Sequence, residues 1–250
     1  MKNSVRLEFR KMHRLHSVFV VISLVVAVAA LSSASLFSNG TRDTFNDPAA
    51  APWAALLLSY TMMAAMTSPI LTAVLASRQT DIEHPALGWT LAATAGRTAG
   101  GMCRAKLVAL TALLFPATVV QSLLVIGLGN LAGIGVPFDA LPWTIYTLSL
   151  FALNVAFCAM HIWLAARVEN QLISMGVGIL GAFLAVFSLL MPEAVSRVIP
   201  WGYYAVISQV GQSDQGVAFI DPPYLWIAMF LFLVALAFAS GTRQLNRMGR

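Results

Sequence analysis

Asp81, Glu83 and His84 stand within four positions of one another and combine two carboxylates with an imidazole. Such a set could ligate a metal or act as general acid and base. The same residue types also collect where a helix begins, because carboxylates suit its positive end. Thr80-Asp81-Ile82-Glu83 has the form of a capping box, and Pro85 follows closely. A short helix starting near Pro85 is therefore expected, with Leu87, Leu91 and Ala95 on one face, Gly96 at its end and Gly100-Gly101 as a hinge. The cluster reads as a helix start rather than a metal centre. Trp89, within that helix, either anchors at lipid headgroups or plugs into a partner's cleft; the residues alone favour neither.

Other chemistry is excluded by what the sequence lacks. There is no G-x-x-x-x-G-K-[ST] loop to cradle phosphates, so no ATP hydrolysis of the Walker type, and no H-E-x-x-H zinc site. Cys103 and Cys158 form neither a metal set nor an expected disulfide. No catalytic residue, no metal and no bound cofactor is assigned to the chain. His13 and His16 lie on a basic tail, and the sequon Asn39-Gly40-Thr41 matters only in a eukaryote.

The elements that position these residues follow from composition. The 250 residues are 59% hydrophobic and 10% charged, against about 25% charged in a soluble domain. So few charges cannot cover a water-facing surface, and a bilayer must be the solvent. Six apolar runs are expected to span it, at 17–38, 53–76, 102–128, 142–166, 172–191 and 223–241. Of the 15 Lys and Arg, 13 flank alternate ends of these runs, and only Arg42 and Arg197 fall in the other loops. Basic loops stay in the cytoplasm, so both termini and the 77–101 loop are expected there. The pI near 9.6 reflects this topology signal and anionic headgroups, not nucleic acid. Ser32–Ser35 could mark a signal-peptide cut, but the long basic start and the run to Phe37 favour a retained span.

Residues 2–16 read as an amphipathic helix lying in the headgroup layer, with Val5, Phe9, Met12 and His16 on one stripe and Arg6, Arg10 and Arg14 beside it. Arg104 and Lys106 are counted with the inner loop, and no other Asp, Glu, Lys or Arg falls within a span. That argues against an ion-driven carrier or a charged pore. His161 is expected to be a packed helix contact, and Pro69 and Pro116 to be fixed kinks. Ser174, Gly178 and Ala182, with Gly181 beside them, form a stripe of small side chains suited to a permease–permease interface. The connection 192–222 is too apolar for a plain loop. Trp201, Tyr203 and Tyr204 mark it as an interfacial piece or outer gate, and Gly211–Gly216 as an exposed turn.

Taken together, the basic amphipathic start, six spans, inner loop and interfacial segment resemble the ABC-2 type permeases. Within them the chain is most similar to the permeases of lantibiotic-immunity and antimicrobial-peptide ABC transporters. Their inner loop runs acidic-His, Trp, Arg, Lys, an order that Glu83-His84, Trp89, Arg97 and Lys106 fill here. A proline common near Gly96 in that subgroup is absent. The resemblance implies an all-α permease of the type V exporter kind. Asp81, Glu83, His84, Leu87, Trp89 and Arg97 would form an element docking on a separate cytoplasmic ATPase, two copies of which carry the ATP and Mg. It further implies a second permease, identical or paralogous, a bacterial cytoplasmic membrane, and an amphipathic cargo such as an antimicrobial peptide, drug or lipid-like molecule. Two other readings remain: a membrane-embedded lipid-modifying enzyme using Asp81, Glu83 or His84, and a non-transporting immunity or scaffold protein.

Overall fold

A computed structural model describes residues 2–84, 88–213 and 216–248. Its helices are α1 Lys2–Arg14, α2 Ser17–Ser32, α3 Asn39–Arg42, α4 Pro52–Asp81, α5 Gly88–Thr94, α6 Ala99–Ala132, α7 Ala140–Arg167, α8 Gln171–Ser188, α9 Glu193–Ser196, α10 Tyr203–Val206 and α11 Tyr224–Met248. Between α10 and α11 a two-stranded antiparallel hairpin pairs β1, Val210–Ser213, with β2, Gly216–Phe219. The expectation of an all-α chain with an exposed turn over Gly211–Gly216 is corrected by this hairpin. Its register runs from Val210 opposite Phe219 to Ser213 opposite Gly216, whose φ of 114° suits glycine.

Helices α4, α6, α7, α8 and α11 are each long and apolar enough to cross a membrane; α1 and α2, bent by 66° at their junction, make a sixth span if taken as one. The long helices begin where the sequence supplies caps. Thr98 Oγ1 accepts from Gly101 N, Asp139 Oδ1 from Leu141 N and Asn170 Oδ1 from Leu172 N. Gly100 and Gly101 lie inside the first turn of α6 and are not a hinge; Gly100 sits so close to the Thr242 carbonyl that a Cβ would meet it at 2.0 Å. The first expected span also shortens. α2 ends at Ser32, and a 3-10 turn follows over Ala34–Phe37. Ser32 Oγ turns back onto the Val28 carbonyl, while Ser59 on α4 donates to the Ser32 carbonyl that the ended helix leaves free.

Two packed clusters hold the bundle. One, toward the hairpin end, gathers Trp53, Tyr60, Trp143, Tyr146, Phe157 and Tyr204. The other, toward α1, gathers Met12, Val21, Val25, Leu75, Leu110 and Ile162. Pro69 and Pro116 sit inside α4 and α6, which continue through them.

Candidate functional site

The turn after α4 delivers the charged residues singled out by the sequence. Glu83 N donates to Thr80 O and His84 N to Asp81 O, so α4 unwinds through one tight turn. Gly88 N then donates to Glu83 O at 2.9 Å, and α5 starts there. A Cβ on Gly88 would stand 2.4 Å from Glu83 Oε2, so glycine is what lets the backbone pass the carboxylate.

Glu83, beside the start of α5, joins a knot of charge. Lys106 Nζ, on α6, lies 2.7 Å from Glu83 Oε1, 2.9 Å from Glu8 Oε2 and 2.8 Å from the Gln79 carbonyl. Those three bonds use all three ammonium donors, and the lysine is fully buried. Lys11 Nζ reaches Glu8 Oε1 at 2.9 Å and Glu83 Oε1 at 2.5 Å. Gln79 Nε2 donates to Glu8 Oε2 at 2.8 Å and to the Glu8 carbonyl at 3.1 Å. Two carboxylates and two ammoniums thus balance, and they join α1, the end of α4 and the start of α6. Burial alone would raise the Glu83 pKa, but the Lys106 charge and the hydrogen bonds from Lys106 and Lys11 outweigh it and hold it below 4.5. Burial would likewise lower Lys11, but its bonds to Glu83 and Glu8 win and raise it above 10.5.

This arrangement changes two expectations. Lys106 lies within a spanning helix rather than in the loop before it. And the Val5-Phe9-Met12-His16 stripe, expected to share one face of a headgroup helix, does not share one environment. Met12 is buried and Phe9 is exposed, while Glu8, the single acid before Asp43, lies at the centre of the buried face. That lone acid among five basic residues was the available signal for Glu8; nothing in the sequence marked Gln79.

The other coupling residues spread from the knot. His84 Nε2 donates to the Ala165 carbonyl on α7 at 2.8 Å, which requires a proton on Nε2. Its ring meets Trp89 edge-on at 5.9 Å. Trp89, half-buried, has an indole N–H without a partner among the described residues, and with Arg97, Leu245 and Asn246 it lines a cleft of about 440 Å³. Asp81 ends α4, Leu91 stays exposed, and Leu87 lies outside the described residues. Asp81, Glu83 and His84 do not converge: among the described residues no three His, Cys, Asp or Glu side chains could share a metal.

At the opposite end, Trp201, Tyr203 and Tyr204 are interior anchors. Tyr204 stacks on Phe157 at 5.2 Å and donates to Asn154 Oδ1 at 3.0 Å. Tyr203 stacks on Phe230 at 4.0 Å, and Trp201 on Phe157 at 5.9 Å. A cleft of about 520 Å³ opens beside them between α4, α8 and the hairpin, lined by residues including Leu58, Met62, Ser208 and Asp221, but none of the three aromatics lines it.

The stripe expected at a subunit interface is used up inside the chain. Gly178 packs on Ala73 and Pro69 of α4, Gly181 lies under Trp201, and Ala182 is buried. Ser174 Oγ lies 3.2 Å from His161 Nδ1. Small side chains let α8 approach α4 and the Trp201 turn, and Ser174, Gly178, Gly181 and Ala182 are buried there. His161 is the packed contact expected, though its Nε2 has no partner among the described residues.

A bundle of long apolar helices with charge confined to one knot and to the helix ends is a multi-pass membrane protein. Residues 4–185 match the ABC-2 family transporter proteins, and the chain belongs to that family, which makes it a transport permease rather than a catalytic subunit. The match runs from α1 nearly to the end of α8 and includes the whole knot. No curated protein matches the chain significantly.

Proposed function

We propose that the chain is the membrane-spanning subunit of an ATP-driven exporter and that the knot passes force from a separate cytoplasmic ATPase to the spans. The observation that carries this reading is the fully buried Lys106, bonded at once to Glu83 beside α5 and to Glu8 on α1. A push on α5 would reach α6 and α1 through these bonded, buried side chains. Trp89 supports α5 as the docking point, because with Arg97 it lines an open cleft that a segment of a partner could enter. In this reading residues 77–101 and both termini face the cytoplasm of a bacterial inner membrane. Two ATPase copies hold the ATP and Mg, and a second permease, identical or paralogous, completes the path. The cargo is amphipathic, an antimicrobial peptide, drug or lipid-like molecule, moved outward or extracted from the membrane, with the lantibiotic-immunity permeases as the nearest subgroup.

The lipid-enzyme alternative is weakened by the same geometry, since Glu83 is committed to two lysines and His84 to a backbone carbonyl. The test is co-purification. A soluble ATPase should come down with the full chain, and Trp89→Ala combined with Glu83→Ala should cut its recovery at least severalfold. A lipid-modifying activity in a preparation free of any ATPase would overturn the reading.

A further inference from the structure

We propose that the elbow between α1 and α2 holds one anionic phospholipid, with its headgroup on Arg10, His13 and Arg14 and one acyl chain in a groove between α2 and α6. The groove has a volume of about 270 Å³, and every side chain lining it is apolar, among them Val18, Ile22, Val25, Leu113, Pro116 and Ala117. Pro116 removes one backbone donor from α6, and the small Ala117 beside it leaves the wall recessed. From Val18 to Val26 the α2 side of the groove runs for about 12 Å at 1.5 Å per residue. Half of a hydrocarbon core about 30 Å thick is about 15 Å. The groove therefore matches one acyl chain in one leaflet.

The second observation is the charge next to it. Four residues before Val18, Arg14 ends a basic cleft lined by Leu7, Arg10, Lys11, His13 and Arg14. His16, in the left-handed region at φ 52°, turns α1 by 66° from α2, so the basic helix lies across the end of the spanning one. Lys11 is committed to Glu8 and Glu83. Arg10 and Arg14 have no ion pair among the described residues, while the bonds of Glu8 and Lys11 fix the helix that carries them. An apolar slot one chain long beside unpaired arginines suits a ligand with an anionic head and an acyl tail. A zwitterionic lipid would bring its own cation beside the arginines and gain less from them, and a free phosphate would leave the slot empty. Assigning the lipid to the cytoplasmic leaflet rests on the orientation proposed above; the site itself does not.

The test uses the full chain in detergent micelles, which have no leaflets, so a failure of orientation cannot mimic a failure of the site. Dioleoyl phosphatidylglycerol and dioleoyl phosphatidylcholine, each with a photoreactive diazirine at mid-chain, are offered in equal amounts and the adducts are mapped. Phosphatidylglycerol adducts should concentrate on residues 18–26 and 113–124 and exceed phosphatidylcholine adducts there by about thirtyfold, the effect of two arginines near an anionic headgroup. R10Q with R14Q should abolish that preference and leave phosphatidylcholine labelling unchanged. A117W, which fills the slot, should lower labelling by both lipids. Equal labelling of the unaltered chain by the two lipids would overturn the proposal, and so would adducts spread evenly over the outward faces of α8 and α11. Neither readout depends on a variant folding.

Discussion

Lys106 Nζ lies 2.7 Å from Glu83 Oε1, and the lysine side chain has no exposure to solvent. The same carboxylate oxygen accepts from Lys11, so α1, α6 and the turn before α5 share one acceptor atom. A bonded buried pair adds little stability compared with apolar residues of equal size. Its value lies in register: the three elements can be fixed together in one arrangement only. In the function proposed above, a shift of the turn before α5 would carry α1 and α6 with it.

Lys106→Met should destabilise the protein by about 3–5 kcal/mol, because Glu8 and Glu83 are then buried with only Lys11 between them and one negative charge is left uncompensated. Thermal unfolding in detergent would show it as a clear drop in Tm. Adding Glu83→Gln to that background should return part of the loss, since one stranded charge is removed. Additive losses in the double variant would mean that the two side chains are not coupled.

The knot should also set limits on pH. The carboxyl of Glu83 is held below 4.5, so its contribution is complete above that value and is lost as pH falls through the depressed folded pKa. Lys11 is raised above 10.5, so its contribution is complete below that value and is lost as pH rises through the raised folded pKa. Docking of α1 should be constant over the neutral range and fail at both extremes. A spin label at Arg10→Cys would report it as a mobility that rises below pH 4.5 and above pH 10.5, and a steady change across pH 6–8 would contradict it.

Two glycines two positions apart on α8 should behave in opposite ways. A Cβ on Gly178 would meet the Ala73 Cβ at 2.4 Å, whereas one on Gly176 has nothing within 4 Å. Gly178→Ala should cost about 1–3 kcal/mol through overpacking against α4. Gly176→Ala should gain about 0.5–1 kcal/mol from helix propensity. Paired melting curves decide it, and equal effects would mean that α8 does not rest on α4 as described.

Much of the fold was legible because bilayer-spanning helices announce themselves by long apolar runs and by the basic residues at their ends. Boundaries were less legible where local polarity decides them. α2 ends at Ser32, where Ser59 of α4 donates to the freed Ser32 carbonyl, a contact between elements that hydropathy does not register. The knot was half visible. Glu83 and Lys106 stood out by type and order, but their meeting with Glu8 is a contact across 98 positions that periodicity cannot encode. The small-residue stripe was recognised correctly as a close-packing surface, yet a sequence does not say whether the neighbour is another chain or, as here, α4 of the same one.

Tyr204 separates an anchor from a gate. Its hydroxyl donates to Asn154 inside the bundle, and its ring stacks on Phe157 with an interplanar angle of 18°. Tyr204→Phe keeps the stack and loses the hydrogen bond, which should cost about 0.6–1.7 kcal/mol in a membrane interior. Tyr204→Leu loses the stack as well, a further loss of about 0.5–1.5 kcal/mol. For an anchor, transport should fall in step with Tm across this pair, and the order of preference among cargoes should not change. A residue that swings between two positions would behave differently: Tyr204→Phe would leave Tm near that of the unaltered chain while changing which cargo is moved. Melting curves and transport of two unrelated amphipaths, measured on the same preparations, distinguish the two, and the burial of Tyr204 at 1% exposure favours the anchor.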